Sequence, residues 1–472
     1  MEQKSITYGY LPDDRPKFGK AIIFALQQFL VMLPATILAA IIMNGNGIMM
    51  YSIPAAVIAS GFATISFLFI TKFKIPLYYG SSFSYIPAVA IVVTYAISNG
   101  ITDNIEVLGA ILIASIISGL MSIGAGLLIK KFGVKKIDEI LPGHITGMIA
   151  MIIGLSLAES TMNNILTPNS SLFNGTDWYS VLIAIITFLT VSILTVVLKK
   201  GFISQIPILL GLLVGVIFSY LIWIPLSPSS GGYEVYFNNI KNSSVVPLLD
   251  VMPWHTIPKA FNNSTLIIVS ILAIFPIAFA TIPESAAHVN QLDLYVNELS
   301  VRMNKNKDYK IRKLLPENLI GDGSADIVAV IMGGPAGTNY GENISASVIT
   351  RNFSSYVFLI TGVIAIVVGI ILEVTNVGNL SLLLTTPVIQ GVSLYLFGAI
   401  AVQGIALMIE KKINVFDPKV IAVMAFIAIV GLGVSEIRVT DNFILPAIGV
   451  AAFGGILLNL LLQFLDKKFK KK

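Results

Sequence analysis

The chain has 472 residues, of which 56% are hydrophobic and only 12% charged, and 30 Lys and Arg against 25 Asp and Glu leave a net charge of +5. At a mean hydropathy of +0.86 there is too little polar surface to coat a soluble globule of this length, so the composition specifies an integral membrane protein. The absence of cysteine excludes disulfides, thiolate metal sites and cysteine nucleophiles, and the mild positive balance reflects membrane orientation, with no reason to expect nucleic acid.

Residues 1–18 form a polar tail, and no cleavable signal pattern precedes the first apolar run. Apolar segments then follow at 19–43, 50–71, 76–98, 107–129, 141–158, 179–198, 204–225, 264–290, 317–334, 338–350, 354–373, 383–409, 418–435 and 443–465. Most of them suit a membrane helix of about 20 residues. No polar block remains for a soluble domain, so residues 1–472 read as one all-α polytopic unit of fourteen spans. Lys4, Arg15, Lys17, Lys20, Lys72, Lys74, Lys199, Lys200 and Arg351 fall on the side of the termini, as do the basic runs at 130–136, 302–313, 411–419 and 467–472. Only Lys241, Lys259 and Arg438 fall opposite, which by the positive-inside rule makes both termini cytoplasmic in a plasma-membrane protein.

The longest outer connection, 226–263, is rich in Pro, Ser, Gly and Asn, and the longest inner one, 291–316, is strongly charged. Glu159, Glu373 and Glu436 close spans on the outer side and read as solvated ends. His144, at a span entrance, and His255, beside Trp254, read as interfacial. Asp322 and Asp326 open the ninth span, where they either cap its helix or brace a nearby site.

Three ionisable residues stand apart: Glu284 and His288 in the eighth span and Glu342 in the tenth. A charge at the bilayer centre costs about 2.5–3.5 kcal/mol on insertion scales, so such groups face a polar cavity or a partner and mark a solute or ion path. Glu284 and His288 are four apart, one turn along a helix face, so their side chains can meet, and a histidine near a carboxylate suits a proton relay. A seven-plus-seven division falls near the outer loop, and an odd number of spans per half makes the halves, 19–225 and 264–465, inverted repeats. Tyr79-Gly80 in the third span and Tyr340-Gly341 in the tenth hint at that repeat, each within a short apolar segment of the kind found at interrupted helices.

Four stretches carry a family resemblance: Leu26-Gln27-Gln28-Phe29 through Pro34-Ala35-Thr36, Tyr79-Gly80-Ser81-Ser82-Phe83, Pro283-Glu284-Ser285-Ala286-Ala287-His288, and Tyr340-Gly341-Glu342-Asn343 running to Thr350-Arg351. With these the chain resembles the nucleobase-ascorbate transporters, and most of all bacterial uracil permeases, over essentially its full length. The resemblance implies two inverted seven-helix repeats whose third and tenth spans are broken by short strands. It also implies a core domain near 19–129 and 264–373, a gate domain near 141–225 and 383–465, and a homodimer working by an elevator-like core movement. A nucleobase offers ring N–H donors, carbonyl acceptors and a flat face. Glu284 and Glu342 can accept from it, Gly341 and Ala35 can bring backbone close, and Phe83 can stack. The resemblance gives these residues those roles, places Tyr340 with them, and makes His288 and Glu284 the proton-coupling pair.

Gln28, Pro34, Ser285 and Ser345 depart from the family pattern around these motifs. Glu342, where purine carriers often have Gln, favours a pyrimidine. The expected function is proton-coupled import of uracil, with xanthine or another purine as the alternative substrate and a channel or facilitator as the alternative class. No cofactor is expected, and the absence of an HExxH, P-loop or aspartate-rich motif argues against an enzyme.

Overall fold

The computed structural model describes residues 9–44, 50–133, 140–167, 175–198, 203, 206–242, 246–375, 384–434, 436–440 and 443–469. The first half comprises α1 (Phe18–Met43), α2 (Ile53–Ile70), β1 (Tyr79–Ser81), α3 (Ile86–Ser98), α4 (Asn104–Phe132), α5 (Gly143–Leu166), α6 (Trp178–Val197) and α7 (Pro207–Phe218). Between the halves lie α8 (Gly232–Asn242) and α9 (Pro253–Ala260). The second half comprises α10 (Ser264–Ile274), α11 (Ala278–Arg302), α12 (Leu315–Ile331), β2 (Gly337–Asn339), α13 (Gly341–Thr350), α14 (Ser355–Val374), α15 (Thr386–Glu410), α16 (Pro418–Gly433), β3 (Glu436–Thr440), β4 (Phe443–Pro446) and α17 (Ala447–Phe469). Among the described residues ten helical stretches are long and apolar enough to cross a membrane, so this is a multi-pass, predominantly helical membrane protein. Each of the fourteen expected segments coincides with a helix, four of them shorter than a full span.

Local chemistry sets the ends. The side chains of Ser52, Asp103, Asp177, Asn263 and Asp417 each accept from a backbone N–H of the first turn they precede. Lys130 and Lys131 sit in the last turn of α4, where cations complement the helix dipole. Asp177 also gathers the hydroxyls of Ser180, Ser227 and Ser229 and the indole N–H of Trp223. Burial works to raise its pKa, but the Ser227, Ser229 and Ser180 hydrogen bonds outweigh it and hold the carboxyl below its usual value.

Several sequence expectations change. The outer connection carries helices α8 and α9 instead of running as an open loop. The eighth span is broken at Phe275–Ile277, where Pro276 interrupts the backbone ladder between α10 and α11, and α11 continues through the charged connection to Arg302. The tail is tied down from Tyr10, whose N–H donates to Arg351 and whose carbonyl accepts from Phe353; residues 1–8 lie outside the described residues. Glu373 is half-buried and accepts the Leu248 N–H at 2.9 Å, so it staples the outer connection where a solvated end was expected. Glu159 is exposed, as expected, while Glu436 is half-buried and pairs with Arg438 within the β3–β4 hairpin.

Helices cross most closely where glycines meet. Gly61 of α2 faces Gly362 of α14, Gly119 of α4 faces Gly323 of α12, and Gly147 of α5 faces Gly404 of α15. Small residues allow such backbone approach, and in lipid this packing is what associates helices. A Cβ on Gly323 would lie 2.1 Å from the Gly119 carbonyl oxygen, which belongs to rigid backbone. Gly323→Ala is therefore expected to force α4 and α12 apart at a cost of about 1–3 kcal/mol, read as a lowered melting temperature of the purified protein. An unchanged melt would contradict the crossing.

Candidate functional site

β1 and β2 pair antiparallel, Tyr79 with Asn339, Gly80 with Thr338 and Ser81 with Gly337, and every one of these residues is buried. The pairing needs glycine: a Cβ on Gly337 would meet the Gly80 carbonyl at 2.2 Å, and one on Gly80 would strike the Tyr340 ring at 2.6 Å. Thr64 clamps β1 by accepting from Tyr79 N–H at 3.0 Å and donating to Tyr79 O at 3.1 Å. Beyond β1 the chain turns through Phe83–Tyr85 into α3, and beyond β2 it enters α13 at Gly341. Two half-helices therefore start side by side from one small sheet, bringing their positive dipole ends together.

There a cavity of about 110 Å³ opens, lined by Ser81, Phe83, Ser84, Glu284, His288 and Glu342 among others. At about 30 Å³ per water it has the room of roughly four waters, the scale of one small flat solute. Glu284 and Glu342 are half-buried and His288 buried. The Ser84 hydroxyl donates to Glu284 at 3.2 Å, whereas the Glu342 carboxylate takes a hydrogen bond from its own backbone N–H and from no side chain among the described residues. Phe83 is wedged edge-on to Phe397 of α15, with ring centroids 5.3 Å apart. The Tyr340 hydroxyl donates to the Ser81 carbonyl at 2.9 Å and lies 3.1 Å from the Thr36 hydroxyl. A Cβ on Gly341 would sit 3.2 Å from His288 Nε2 and 3.5 Å from the Gln403 amide, so this glycine keeps the floor of the cavity thin.

Glu284, Glu342, Phe83, Tyr340, Gly341 and His288 thus come together around one cavity, while Ala35 is buried in α1 outside its lining. Glu284 and His288 share the cavity wall, yet no hydrogen bond or ion pair joins them among the described residues: Glu284 takes Ser84, and His288 turns to the Asn339 backbone. The four departures from the family pattern do not line the cavity either. Gln28 pins Ser347 and Asn343 at 2.9 and 2.7 Å, Pro34 is buried within α1, Ser345 faces outward on α13, and Ser285 bonds Asp322 and Asn318.

Asp322 and Asp326 lie inside α12, not at its start, so they do not cap it. Asp326 accepts the Tyr79 hydroxyl at 2.6 Å and the Gly337 N–H at 2.7 Å, and Asp322 accepts the Asn339 amide at 2.8 Å. Together they brace both strands from behind. His144 is buried at the start of α5 beside Asn459, and His255 is exposed on α9; neither lines the cavity. Sequence reading missed Gln403, one of two amides within the apolar α15, and Gln291, three residues past His288 on α11. Isolated amides in apolar spans are the signal that could have found the first.

A family model described as Permease family, Xan_ur_permease, matches residues 19–440. The uracil permease of Bacillus caldolyticus is 30% identical over 453 residues, covering 95% of this chain and 93% of that protein. The putative pyrimidine permease RutG of Escherichia coli K12 is 28% identical over 453 residues, covering 96% of this chain and 91% of its own length. Among solved structures, the transmembrane domain of the cyanobacterial bicarbonate transporter BicA matches with a TM-score of 0.58 at 13% identity, covering 93% of this chain and 96% of that domain; this similarity speaks to the fold alone.

Proposed function

The chain belongs to the Xan_ur_permease family, a family of nucleobase permeases and not of enzymes, and from that premise we propose that it imports uracil by proton symport. The observation that carries this reading is the cavity itself: two carboxylates, Glu284 and Glu342, converge with the Phe83 ring and two half-helix starts on a space of about 110 Å³. Carboxylates accept from ring N–H groups, free backbone N–H groups donate to ring carbonyls, and an aromatic ring covers the flat face. The relatives, a uracil permease and a putative pyrimidine permease, point the same way.

Fourteen spans in two inverted repeats, 19–225 and 264–465, are supported by the packing. Shifting each span by seven exchanges the α2–α14 pair with the α12–α4 pair, and both pairs pack extensively and cross at facing glycines. Core and gate domains near 19–129 with 264–373 and 141–225 with 383–465 are supported by the cavity walls. Ser81, Phe83, Glu284 and Glu342 come from one set, and Ala150, Ile153, Ile400 and Gln403 from the other. A core carrying the solute past a fixed gate, in an elevator-like cycle within a dimer, accounts for that split. Gln291 and Glu410 extend the lining toward Lys411 and the basic side, which on this reading is the cytoplasm and holds both termini.

Uptake of a panel of labelled nucleobases into proteoliposomes, with and without an inward proton gradient, tests the proposal. Uracil is expected to be taken up best and concentrated only with the gradient. A strong preference for xanthine would replace the substrate, and mere equilibration of every base would make the protein a facilitator.

A further inference from the structure

A second void, of about 10 Å³, lies at the back of β2, lined by Ser122, Thr281, Asp322, Asp326, Gly337 and Thr338. It is the size of one water-sized sphere, and Thr338 lines both it and the main cavity. Asp326 is 2% exposed and Asp322 6%, and no Lys, Arg or His pairs with either among the described residues. Two carboxylates this deep in hydrocarbon require compensating positive charge.

The hydrogen bonds say which acid keeps its charge. Asp322 is saturated by the Ser285 hydroxyl and by the amides of Asn318 at 2.9 Å and Asn339 at 2.8 Å, three donors that suit an ionised carboxylate. Asp326 receives the Tyr79 hydroxyl and the Gly337 N–H on one oxygen, Oδ1, and no donor reaches Oδ2 among the described residues. The hydroxyls of Ser122 and Thr338, 4% and 7% exposed, line the same void and also lack hydrogen bonds among the described residues. An acid with one oxygen that takes no donor and two hydroxyl-bearing residues thus border room for one water.

We propose that Asp326 carries a proton on Oδ2, with a water in this void joining it to Ser122 and Thr338, and that this second proton site positions the substrate strand. Gly337 and Thr338 belong to β2, which leads directly into Tyr340, Gly341 and Glu342, so a change of charge at Asp326 acts on the binding residues through one short strand. The titratable groups facing Asp326 are Tyr79 from β1, Tyr85 from the turn after it and Asp322 from its own helix, with Glu284 of α11 beyond Asp322. None of them is basic. The effect on transport rests on the proton-symport reading; the proton itself does not.

Infrared difference spectroscopy of the purified protein, taken across a pH series with no nucleobase and no membrane gradient, reads the proton directly. A carbonyl stretch of a protonated carboxylic acid is expected at neutral pH in the wild type and in Glu284→Gln, and is expected to vanish in Asp326→Asn. Asparagine keeps an oxygen for Tyr79 and Gly337, so the variant should fold. Tyr79→Phe, which leaves Asp326 untouched, should shift the pH midpoint of the band by about one unit. In Asp326→Asn, uracil binding should persist with a flattened pH dependence. A band unchanged in Asp326→Asn, or its absence from the wild type at every pH, would overturn the proposal. Because the spectrum needs no transport, failure of the symport reading would show separately, as uptake indifferent to the proton gradient.

Discussion

Glu342→Ala is expected to abolish measurable nucleobase binding while leaving a folded protein. The carboxylate opens α13, is hydrogen-bonded only by its own backbone N–H among the described residues and lines the cavity, so no hydrogen bond between helices is lost with it there. The bound base loses an acceptor for its ring N–H, and that donor stays unpaired in a site that excludes water. A hydrogen bond to a charged group contributes about 1.5–3 kcal/mol and an unsatisfied buried donor costs about as much again. The affinity should therefore fall about 100-fold or more, at 1.4 kcal/mol per decade. Glu342→Gln keeps one acceptor but adds a donor, so it should weaken uracil by about tenfold and improve xanthine relative to it. Ser345→Ala, on the outward side of the same helix, is the matched control and should bind normally. Equilibrium binding of labelled uracil to the purified proteins decides the matter, and unchanged affinity in Glu342→Ala would remove this residue from the site.

The spans were legible because a membrane helix satisfies its own backbone and needs only a long apolar run, a signal that survives in a single sequence. The polar helices α8 and α9 were not: GYEVYFNNIKN and PWHTIPKA hold too many polar and helix-breaking residues to stand out from a loop, and they form because they pack on the helices beneath. Strand pairing was legible only in part. The two Tyr-Gly dipeptides do not correspond, since Tyr79-Gly80 lies inside β1 and Tyr340-Gly341 follows β2; relative to the strands, Phe83 stands where Gly341 does. Register is a tertiary property, and three-residue strands carry no periodicity from which to read it. Helical spacing puts Glu284 and His288 on one wall but does not give their partners, because Ser84 and Asn339 come from the turn after β1 and from β2. The role of Asp326 was hidden for the same reason: its partners Tyr79 and Gly337 are distant in sequence or lie beyond the end of its helix.

Glu284→Gln is expected to bind uracil and exchange it across the membrane yet fail to concentrate it. Glu284 is half-buried in a membrane span, with the Ser84 hydroxyl as its partner and no cation paired with it among the described residues. Its ionised form is therefore costly there, by about 2.5–3.5 kcal/mol on insertion scales, and a proton arriving with the base relieves that cost. On the proposed symport reading the protonated carboxyl donates as well as accepts, so that proton and base would bind co-operatively and loss of the proton on the inner side would loosen the base. Glutamine reproduces the donor and the acceptor but cannot change charge. One pH unit is worth 1.36 kcal/mol, so a wild-type carrier moving one proton per base approaches about tenfold accumulation across a one-unit step, whereas Glu284→Gln should settle near equal concentrations. His288→Ala, which removes a neighbour on the same cavity wall, should lower the rate or shift its pH dependence while the fold persists. Sealed vesicles at equal sodium on both sides, with and without the pH step, provide the measurement: wild-type accumulation that ignores the step and follows an imposed sodium gradient would refute proton coupling through Glu284.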